Sequence, residues 1–175
     1  MKVSDILRVK GSTNTLYTVT PDEPLSRAVG IMADKDIGSL VVMAKGELAG
    51  MLTFREVILC VDRHGGSASA NPVSTAIDDH PPTCTPDTDL DEVRRIMLES
   101  HARYLPVIDK RELTGVISFY DVAKAIAYRE HMAYDMLSAS LTDGRASRPA
   151  AACQYEPLVR EHRGLRAKRP LVAIR

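Results

Sequence analysis

The sequence predicts an α+β module of two β-α-β-β-α repeats that pack with pseudo-two-fold symmetry. The first observation is an internal repeat: positions 18–57 and 83–122 align without a gap at an offset of 65 and share 15 of 40 residues. The second is that each copy alternates apolar residues at helical spacing with short apolar runs bounded by turn residues. Because a unit of this size buries little core alone, we expect the two copies to pack together.

The elements of each copy follow in a fixed order. A short strand around 17–20 ends at Pro21, and a helix follows with apolar residues at i, i+3, i+4 and i+7, namely Leu25, Ala28, Val29 and Met32. Two short strands, 40–43 and 48–53, come next and are joined by a tight polar turn at 45–47. A second helix closes the unit with Phe54, Val57, Ile58 and Val61 at the same spacing.

The repeat divides the chain into five segments. We assign 1–63 to the first repeat, 64–72 to a linker, 73–130 to the second repeat, 131–142 to a C-terminal helical extension and 143–175 to a basic, flexible tail. The linker is rich in Gly, Ser and Ala, which is typical of a flexible connection. Few apolar residues at regular spacing occur in the tail, which favours disorder there.

Composition and charge exclude several classes of protein. With 45% hydrophobic and 26% charged residues, the chain is not disordered throughout. Its net charge of zero makes nucleic-acid binding an unlikely main function, although the charge is unevenly distributed. The segment from Asp143 onward carries seven Arg and one Lys against three acids, a net charge of +5, and the first 142 residues carry −5.

The sequence also predicts where the protein works and what it lacks. No apolar signal segment opens the chain, and no uncharged apolar run approaches the ~18 residues that a membrane span needs. The three cysteines, Cys60, Cys84 and Cys153, have no metal-ligand spacing and cannot all pair with one another. We therefore expect a cytoplasmic protein with no membrane segment and no metal site, in a reducing compartment.

Two related segments carry the most chemical information. In 50–56 and 115–121 a hydroxyl residue ends a strand, and an acid follows three residues later at a helix start: Thr53 with Glu56, and Ser118 with Asp121. One interpretation is a capping box, in which hydroxyl and acid satisfy the first N–H groups of the helix. The other is a nucleotide site, where the helix N-terminus and the hydroxyl face a phosphate while the carboxylate accepts ribose hydroxyls.

These motifs resemble a tandem pair of CBS domains, the cystathionine β-synthase motif or Bateman module. The resemblance covers roughly residues 1–130 and rests on Gly-h-h-Ser/Thr-x-x-Asp/Glu in both copies, where h is an apolar residue. It also rests on Thr-x-Pro-Asp before each first helix and on the segments 37–42 and 103–107. The chain is most similar to the small stand-alone bacterial proteins that consist of little but the pair.

The resemblance implies adenine nucleotide binding in clefts between the repeats. Ser118 and Asp121 match the family motif fully and are expected at phosphate and ribose; Thr53 and Glu56 match less well, because aspartate is usual at the place of Glu56. The segment before the second strand lines the adenine pocket in the family. One base is therefore expected near Ala102, Arg103, Tyr104, Leu105 and Pro106, and another near Ile37, Gly38, Ser39 and Leu40.

Phosphate ligands are expected among the arginines, since a guanidinium can bind two oxygens at once. Arg55 and Arg103 are the candidates, with an exposed surface pair as the alternative for each. Neither arginine is repeated in the other copy, so the two clefts should differ. The polar stretch 11–15 is either a further source of contacts or a plain loop.

We therefore expect a regulatory signal-transduction module without catalytic activity or catalytic cofactor. It would bind AMP, ADP, ATP or NAD(H), with S-adenosylmethionine as a variant, and pass a conformational change to an unidentified protein. Tyr and Met residues on the final helix favour a homodimer contact. Two alternatives stay open: a structural or dimerisation protein with degenerate clefts, and a protein that associates with nucleic acid through its basic tail.

Overall fold

The computed structural model describes residues 1–10 and 16–141. The predictions for the stretch 11–15 and for the tail 143–175 lie outside the described residues. The helices are α1 (Val3–Lys10), α2 (Leu25–Lys35), α3 (Phe54–His64), α4 (Leu90–Ser100) and α5 (Phe119–Leu141), and the strands are β1 (Thr18–Val19), β2 (Ser39–Ala44), β3 (Glu47–Thr53), β4 (Tyr104–Asp109) and β5 (Glu112–Ser118). The α+β class is confirmed, and so is the order of elements, except that the first strand of the second copy is reduced to an isolated bridge.

Each repeat is built on a small sheet whose pairing recurs at the offset of 65. β2 pairs antiparallel with β3 and parallel with β1, while β4 pairs antiparallel with β5. In the second copy a single residue, Cys84, stands in for β1 through a parallel bridge to Val107. The bulge in β2 between Val42 and Met43 recurs in β4 between Val107 and Ile108. The common ancestry of the two copies is thus visible in their backbones.

The hairpin turns show the same repetition in their dihedral angles. Lys45 and Gly46 have φ of 51° and 86°, and their counterparts Lys110 and Arg111 have φ of 47° and 75°. Two successive residues with positive φ are the requirement of the tight turn that matches strand twist. Glycine meets this requirement without strain in the first copy, whereas Arg111 adopts it despite its Cβ.

The cores show that the two repeats exchange their N-terminal segments. Val3 and Ile6 of α1 are buried in the core of the second repeat, with residues between 84 and 125. Val73 and Ala76, from the start of the second repeat, are buried in the core of the first. The boundaries at 63 and 73 therefore separate two stretches of sequence but not two cores, and neither stretch contains a complete core by itself.

The linker is more ordered than its composition predicts. Residues Gly65–Ala70 form a 3-10 helix, and Ala68 is buried in the core of the first repeat. The small side chains that suggested flexibility allow this close packing instead. The prediction of a flexible linker is wrong for this segment, because burial of Ala68 fixes its path.

The chain divides into two compact units, and the first of them ends at Ala133. This boundary falls within the final helix, α5. α5 runs without interruption from Phe119 to Leu141, so the predicted extension 131–142 continues the last helix of the second repeat. Within the second unit, Tyr134, Met136 and Leu137 are exposed.

Candidate functional site

A cleft of about 190 Å³ lies between the two repeats and is lined by residues of both. The first half of the chain contributes the end of α1, the residues before β1, and the loop that leads into β2. The second half contributes the start of β4 and the end of β5. The lining residues are Lys10, Leu16, Tyr17, Ile37, Gly38, Ser39, Val41, Tyr104, Val116 and Ser118.

Ser118 and Asp121 form a reciprocal capping box where β5 passes into α5. The Ser118 hydroxyl accepts a hydrogen bond from the Asp121 backbone N–H at 3.2 Å. The Asp121 carboxylate in turn accepts from the Ser118 N–H at 2.8 Å and from its hydroxyl at 2.7 Å. Capping therefore holds the two groups that the sequence assigns to phosphate and ribose at the edge of the cleft.

Lys10 connects the exchanged helix α1 to this capping box. Its Nζ donates to Asp121 Oδ2 at 2.9 Å and to the carbonyl oxygen of Val116 at 3.1 Å. The pair is sheltered, since the Lys10 side chain is 25% exposed and that of Asp121 is 13% exposed. The hydrogen bonds from Lys10 and Ser118 to this carboxylate all go to Oδ2.

Tyr104 reaches across from the second repeat to the first. Its hydroxyl lies so close to Gly38 that a Cβ at that position would overlap it, so a larger residue there would require the Tyr104 ring to move. Burial raises the pKa of the Tyr104 phenol, the positive charge of Arg103 opposes this, and the negative charge of Asp121 adds to it. The half-buried phenol therefore stays protonated at neutral pH and presents an aromatic ring to the cleft.

The first motif has a different geometry. Thr53 caps α3 by accepting from the Arg55 N–H at 3.2 Å, and its hydroxyl donates to Glu56 Oε2. Arg55 donates to the other oxygen of the same carboxylate at 2.9 Å. Glu56 is buried, with 9% of its surface exposed, so the longer side chain folds back onto its own helix start.

Arg55 and Glu56 line a separate cavity of about 280 Å³. Its remaining lining residues come from α3 and from the segment that enters the second repeat: Leu59, Arg63, Thr75, Ala76, Ile77, Asp78 and Asp79. The two Gly-h-h-Ser/Thr-x-x-Asp/Glu motifs thus face surroundings of different shape and charge.

The structure distributes the predicted site residues over four environments: the cleft, the second cavity, the two cores and the exposed surface. The one cleft brings together Ile37, Gly38, Ser39 and Tyr104, which the resemblance assigns to two separate bases. It also contains Ser118, which the resemblance assigns to the phosphate. Leu40 and Leu105 lie with their side chains in the two cores, and Pro106 is buried, so only backbone groups of these three could face a ligand. Ala102 packs against the second core, and Arg103 is exposed outside the cleft lining.

Sequence reasoning missed Lys10, the cationic residue that lines the cleft. The signal for it was present: Val3, Ile6 and Leu7 have the i, i+3, i+4 spacing of a helix face, and Arg8 and Lys10 suit a helix C-terminus. What the pattern could not show is the exchange, which carries this helix onto the second repeat and so brings Lys10 to Asp121.

The cysteines and the possible metal ligands of the described residues were the other candidates for a chemical site. In residues 1–10 and 16–141 no group of three or more His, Cys, Asp or Glu could hold a metal ion. Cys60 and Cys84 are both buried. Burial also raises the pKa of the Cys84 thiol to about 11, so the reactive thiolate is scarce at neutral pH.

Comparison with known proteins identifies the repeat. The CBS domain family model matches residues 3–63 and 73–128. The chain belongs to the CBS domain family. The CBS domain-containing protein YhcV from Bacillus subtilis is 28% identical over 111 residues, which are 63% of this chain and 79% of that protein. Proteins built from a CBS pair alone are regulatory modules.

Solved CBS structures have the same fold. A CBS-domain containing protein from Agrobacterium tumefaciens superimposes with a TM-score of 0.68 at 31% identity, covering 71% of this chain and 98% of that one. CBSX2, solved in complex with AMP, gives a TM-score of 0.62 at 21% identity and covers 74% and 98% of the two chains. Within the described residues, no helix of this CBS protein has the length and apolarity to cross a membrane.

Proposed function

We propose that this CBS pair is a cytoplasmic, non-catalytic regulator that binds an adenine nucleotide in the cleft between its repeats. The nucleotide would be AMP, ADP, ATP or NAD(H), and its binding would change the packing of the repeats and be passed to a partner protein. A ligand can shift such packing only by its difference in affinity for the two arrangements.

The observation that carries the proposal is the convergence of three kinds of group on one cleft. Tyr104 offers an aromatic ring, and Ile37 and Gly38 offer an apolar, backbone-rich wall that could enclose a base. Ser118 stands at the N-terminus of the 23-residue helix α5, where backbone N–H groups and the helix dipole favour a phosphate. The Asp121 carboxylate, which is hydrogen-bonded to the lining residues Lys10 and Ser118, can accept the hydrogens of two ribose hydroxyls.

The comparison with CBSX2 supports the same ligand class, since that protein holds AMP. Glu56, by contrast, is folded onto Thr53 and Arg55 in the other cavity. We therefore place the nucleotide at Ser118 and Asp121 and treat the motif of the first repeat as a helix cap.

We also propose that the active form is a homodimer. Apolar side chains are exposed at intervals of three and four residues along the outer face of α3: Phe54, Ile58 and Val61 are 54%, 67% and 49% exposed. At the corresponding start of α5, Phe119 and Tyr120 are 46% and 67% exposed. Contiguous apolar faces of this kind are typical of protein interfaces.

A thermal-shift assay with AMP, ADP, ATP, NAD, NADH and S-adenosylmethionine tests the ligand. A ligand at 100 times its Kd adds about 2.7 kcal/mol to the free energy of unfolding, which raises Tm by roughly 5–10 °C for a chain of this size. We expect this shift with at least one nucleotide, its loss in Asp121→Ala, and its retention in the matched variant Glu56→Ala.

Two results would contradict the proposal. No shift with any compound at millimolar concentration would favour a structural protein with degenerate clefts. A shift of equal size in wild type and Asp121→Ala would show that a nucleotide binds elsewhere. In both variants the Tm without ligand is measured first, so that loss of binding is not confused with loss of the fold.

A further inference from the structure

We propose that Tyr104 restricts the cleft to a single nucleoside, so that the ligand is an adenine mononucleotide and not the dinucleotide NAD(H). This inference rests on the proposed function and narrows it, because AMP, ADP and ATP each carry one base, whereas NAD(H) carries two. It makes Tyr104 the residue that determines how large a ligand the cleft accepts.

The merging of two base positions is the first argument. Two copies of one repeat predict two equivalent positions, which the resemblance puts next to 37–40 and next to 102–106. In the structure, residues 37–39 line the same cleft as Tyr104, so both positions open into one space. That space is about 190 Å³, which is below the ~300–1,000 Å³ of pockets that enclose a drug-sized ligand. A cleft of this size has room for one nucleoside but not for two.

The contact between Tyr104 and Gly38 is the second argument. A Cβ at Gly38 would overlap the Tyr104 hydroxyl and would lie 3.4 Å from Cε2 of Phe54. An aromatic ring of the chain itself therefore takes up the space beside Gly38, where a second base would otherwise lie. The other copy has no such ring, because the residue that corresponds to Tyr104 is Ser39.

The surroundings of the first motif are the third argument. Among the described residues, the lining of the cavity at Arg55 and Glu56 includes none of 37–40 or 102–106, so it lacks the wall that these segments give the cleft. The Glu56 carboxylate is already hydrogen-bonded to Thr53 and Arg55. A dinucleotide with its adenosine in the cleft would find no second base site there, and its nicotinamide riboside would extend into water. A half that is not enclosed adds little to the affinity.

The test compares AMP with NAD by isothermal titration calorimetry on the full chain, and the quantity compared is the Kd of NAD divided by the Kd of AMP. Tyr104→Ser installs the residue of the first repeat and removes the ring from Gly38. Tyr17→Ser is the matched control, because Tyr17 also lines the cleft, whereas the hydroxyl next to Gly38 is that of Tyr104. The ratio cancels any contact with adenosine that both ligands lose.

We expect wild type to bind AMP about tenfold more tightly than NAD, or by a larger factor. Tyr104→Ser should lower this ratio by about tenfold, because the space beside Gly38 becomes open to the nicotinamide. Tyr17→Ser should leave the ratio within a factor of about three.

A second measurement uses wild type alone and NADH, whose nicotinamide is fluorescent. At protein concentrations where competition with AMP shows NADH to be bound, the emission maximum should stay at its value in buffer, because the nicotinamide remains in water. NADH that does not compete with AMP supports the same conclusion. A shift of the emission to shorter wavelength would mean that the nicotinamide is enclosed, and would overturn the inference. This measurement decides if Tyr104→Ser does not fold.

Each other outcome overturns a defined claim. Wild type that binds NAD as tightly as AMP, or more tightly, would overturn the restriction to one nucleoside and leave the proposed function standing. An unchanged ratio in Tyr104→Ser would show that Tyr104 does not determine the size of the ligand. Wild type that binds neither ligand would overturn the proposed function and, with it, the role of Tyr104.

Discussion

The two repeats share a backbone but differ in how the exchanged segment meets each sheet. In the first repeat, Asp78 pairs with Met51 through two backbone hydrogen bonds of 2.8 and 2.9 Å. In the second repeat, the counterpart of Met51 is Val116, and its carbonyl accepts from the Lys10 side chain instead. One junction is closed by backbone hydrogen bonds, whereas a side chain donates to the equivalent carbonyl in the other.

Gly50 shows how close the junction of the first repeat is. A Cβ at this position would overlap the carbonyl oxygen of Asp78, so the backbone of the entering segment lies directly on β3. The two repeats therefore have similar frameworks, but the short entering segments close them by different contacts.

The largest effect is expected from substitutions of the exchanged residues that are buried in the two cores. Val3→Ala and Val73→Ala each remove two buried methyl groups at equivalent places, at a cost of about 2 kcal/mol in the free energy of unfolding. We expect Val3→Ala to lower amide hydrogen-exchange protection mainly in β4 and β5, although Val3 stands at the start of the first repeat. Val73→Ala should lower it mainly in β2 and β3.

Val9→Ala is the control for this comparison, because Val9 lies on the same helix as Val3 and is 78% exposed. It should change the free energy of unfolding by less than about 0.5 kcal/mol. If Val3→Ala instead exposed the amides of β2 and β3, each stretch of sequence would form its own core and the exchange would be refuted.

This exchange also marks the limit of what the sequence could predict. The offset of 65 and the apolar spacing predicted both hairpins and the helices α2 to α5, because identical local patterns fold alike. The pattern could not tell which core Val3 and Val73 enter, since both segments look equally apolar in either place. Lys10 was missed for the same reason: its role depends on a contact with Asp121, 111 residues away along the chain.

The motifs themselves were predictable, but their surroundings were not. The spacing of Ser118 and Asp121 predicted a capping box or a nucleotide site, and the observed hydrogen bonds have the capping geometry at the edge of a cleft. For the linker the local prediction itself was wrong, since a segment whose composition is typical of flexibility forms a packed 3-10 helix. Small residues favour close packing as readily as motion, and composition does not decide between them.

The exposed faces of α3 and α5 provide a second comparison between the two repeats. Ile58 is 67% exposed on α3, and the smaller Ala123 stands at the equivalent place on α5. If the homodimer uses the more apolar face, that of α3, Ile58→Lys should weaken dimerisation at least tenfold. The substitution places a charge at an apolar contact in both protomers. Analytical ultracentrifugation over a concentration series measures this.

Leu98→Lys is the matched control, since Leu98 is 56% exposed on α4, a helix that is not part of the proposed face. It should leave the dimer dissociation constant within a factor of three. A monomeric wild type would contradict the dimer, and equal weakening by both substitutions would show that added charge alone is responsible.

The smallest effect is expected at one buried position of the two sheets, which is Val19 in the first repeat and Cys84 in the second. Burial raises the pKa of the Cys84 thiol from 9.0 to about 11, so between these values the folded chain keeps a proton that the unfolded chain releases. The free energy of unfolding must therefore fall as pH rises through this range, by about 1 kcal/mol at pH 10 from this group.

Cys84→Val installs the residue of the first repeat and removes the titrating group. Denaturant unfolding in the presence of a reductant, at pH 8 and pH 10, then gives the difference between wild type and variant. Lysines and tyrosines titrate in the same range, but they are common to both proteins and cancel. Wild type should lose about 1 kcal/mol more than Cys84→Val on going to pH 10. Equal losses would mean that the thiol is hydrated in the folded state, and that the second sheet is open at the place where the first is closed by Val19.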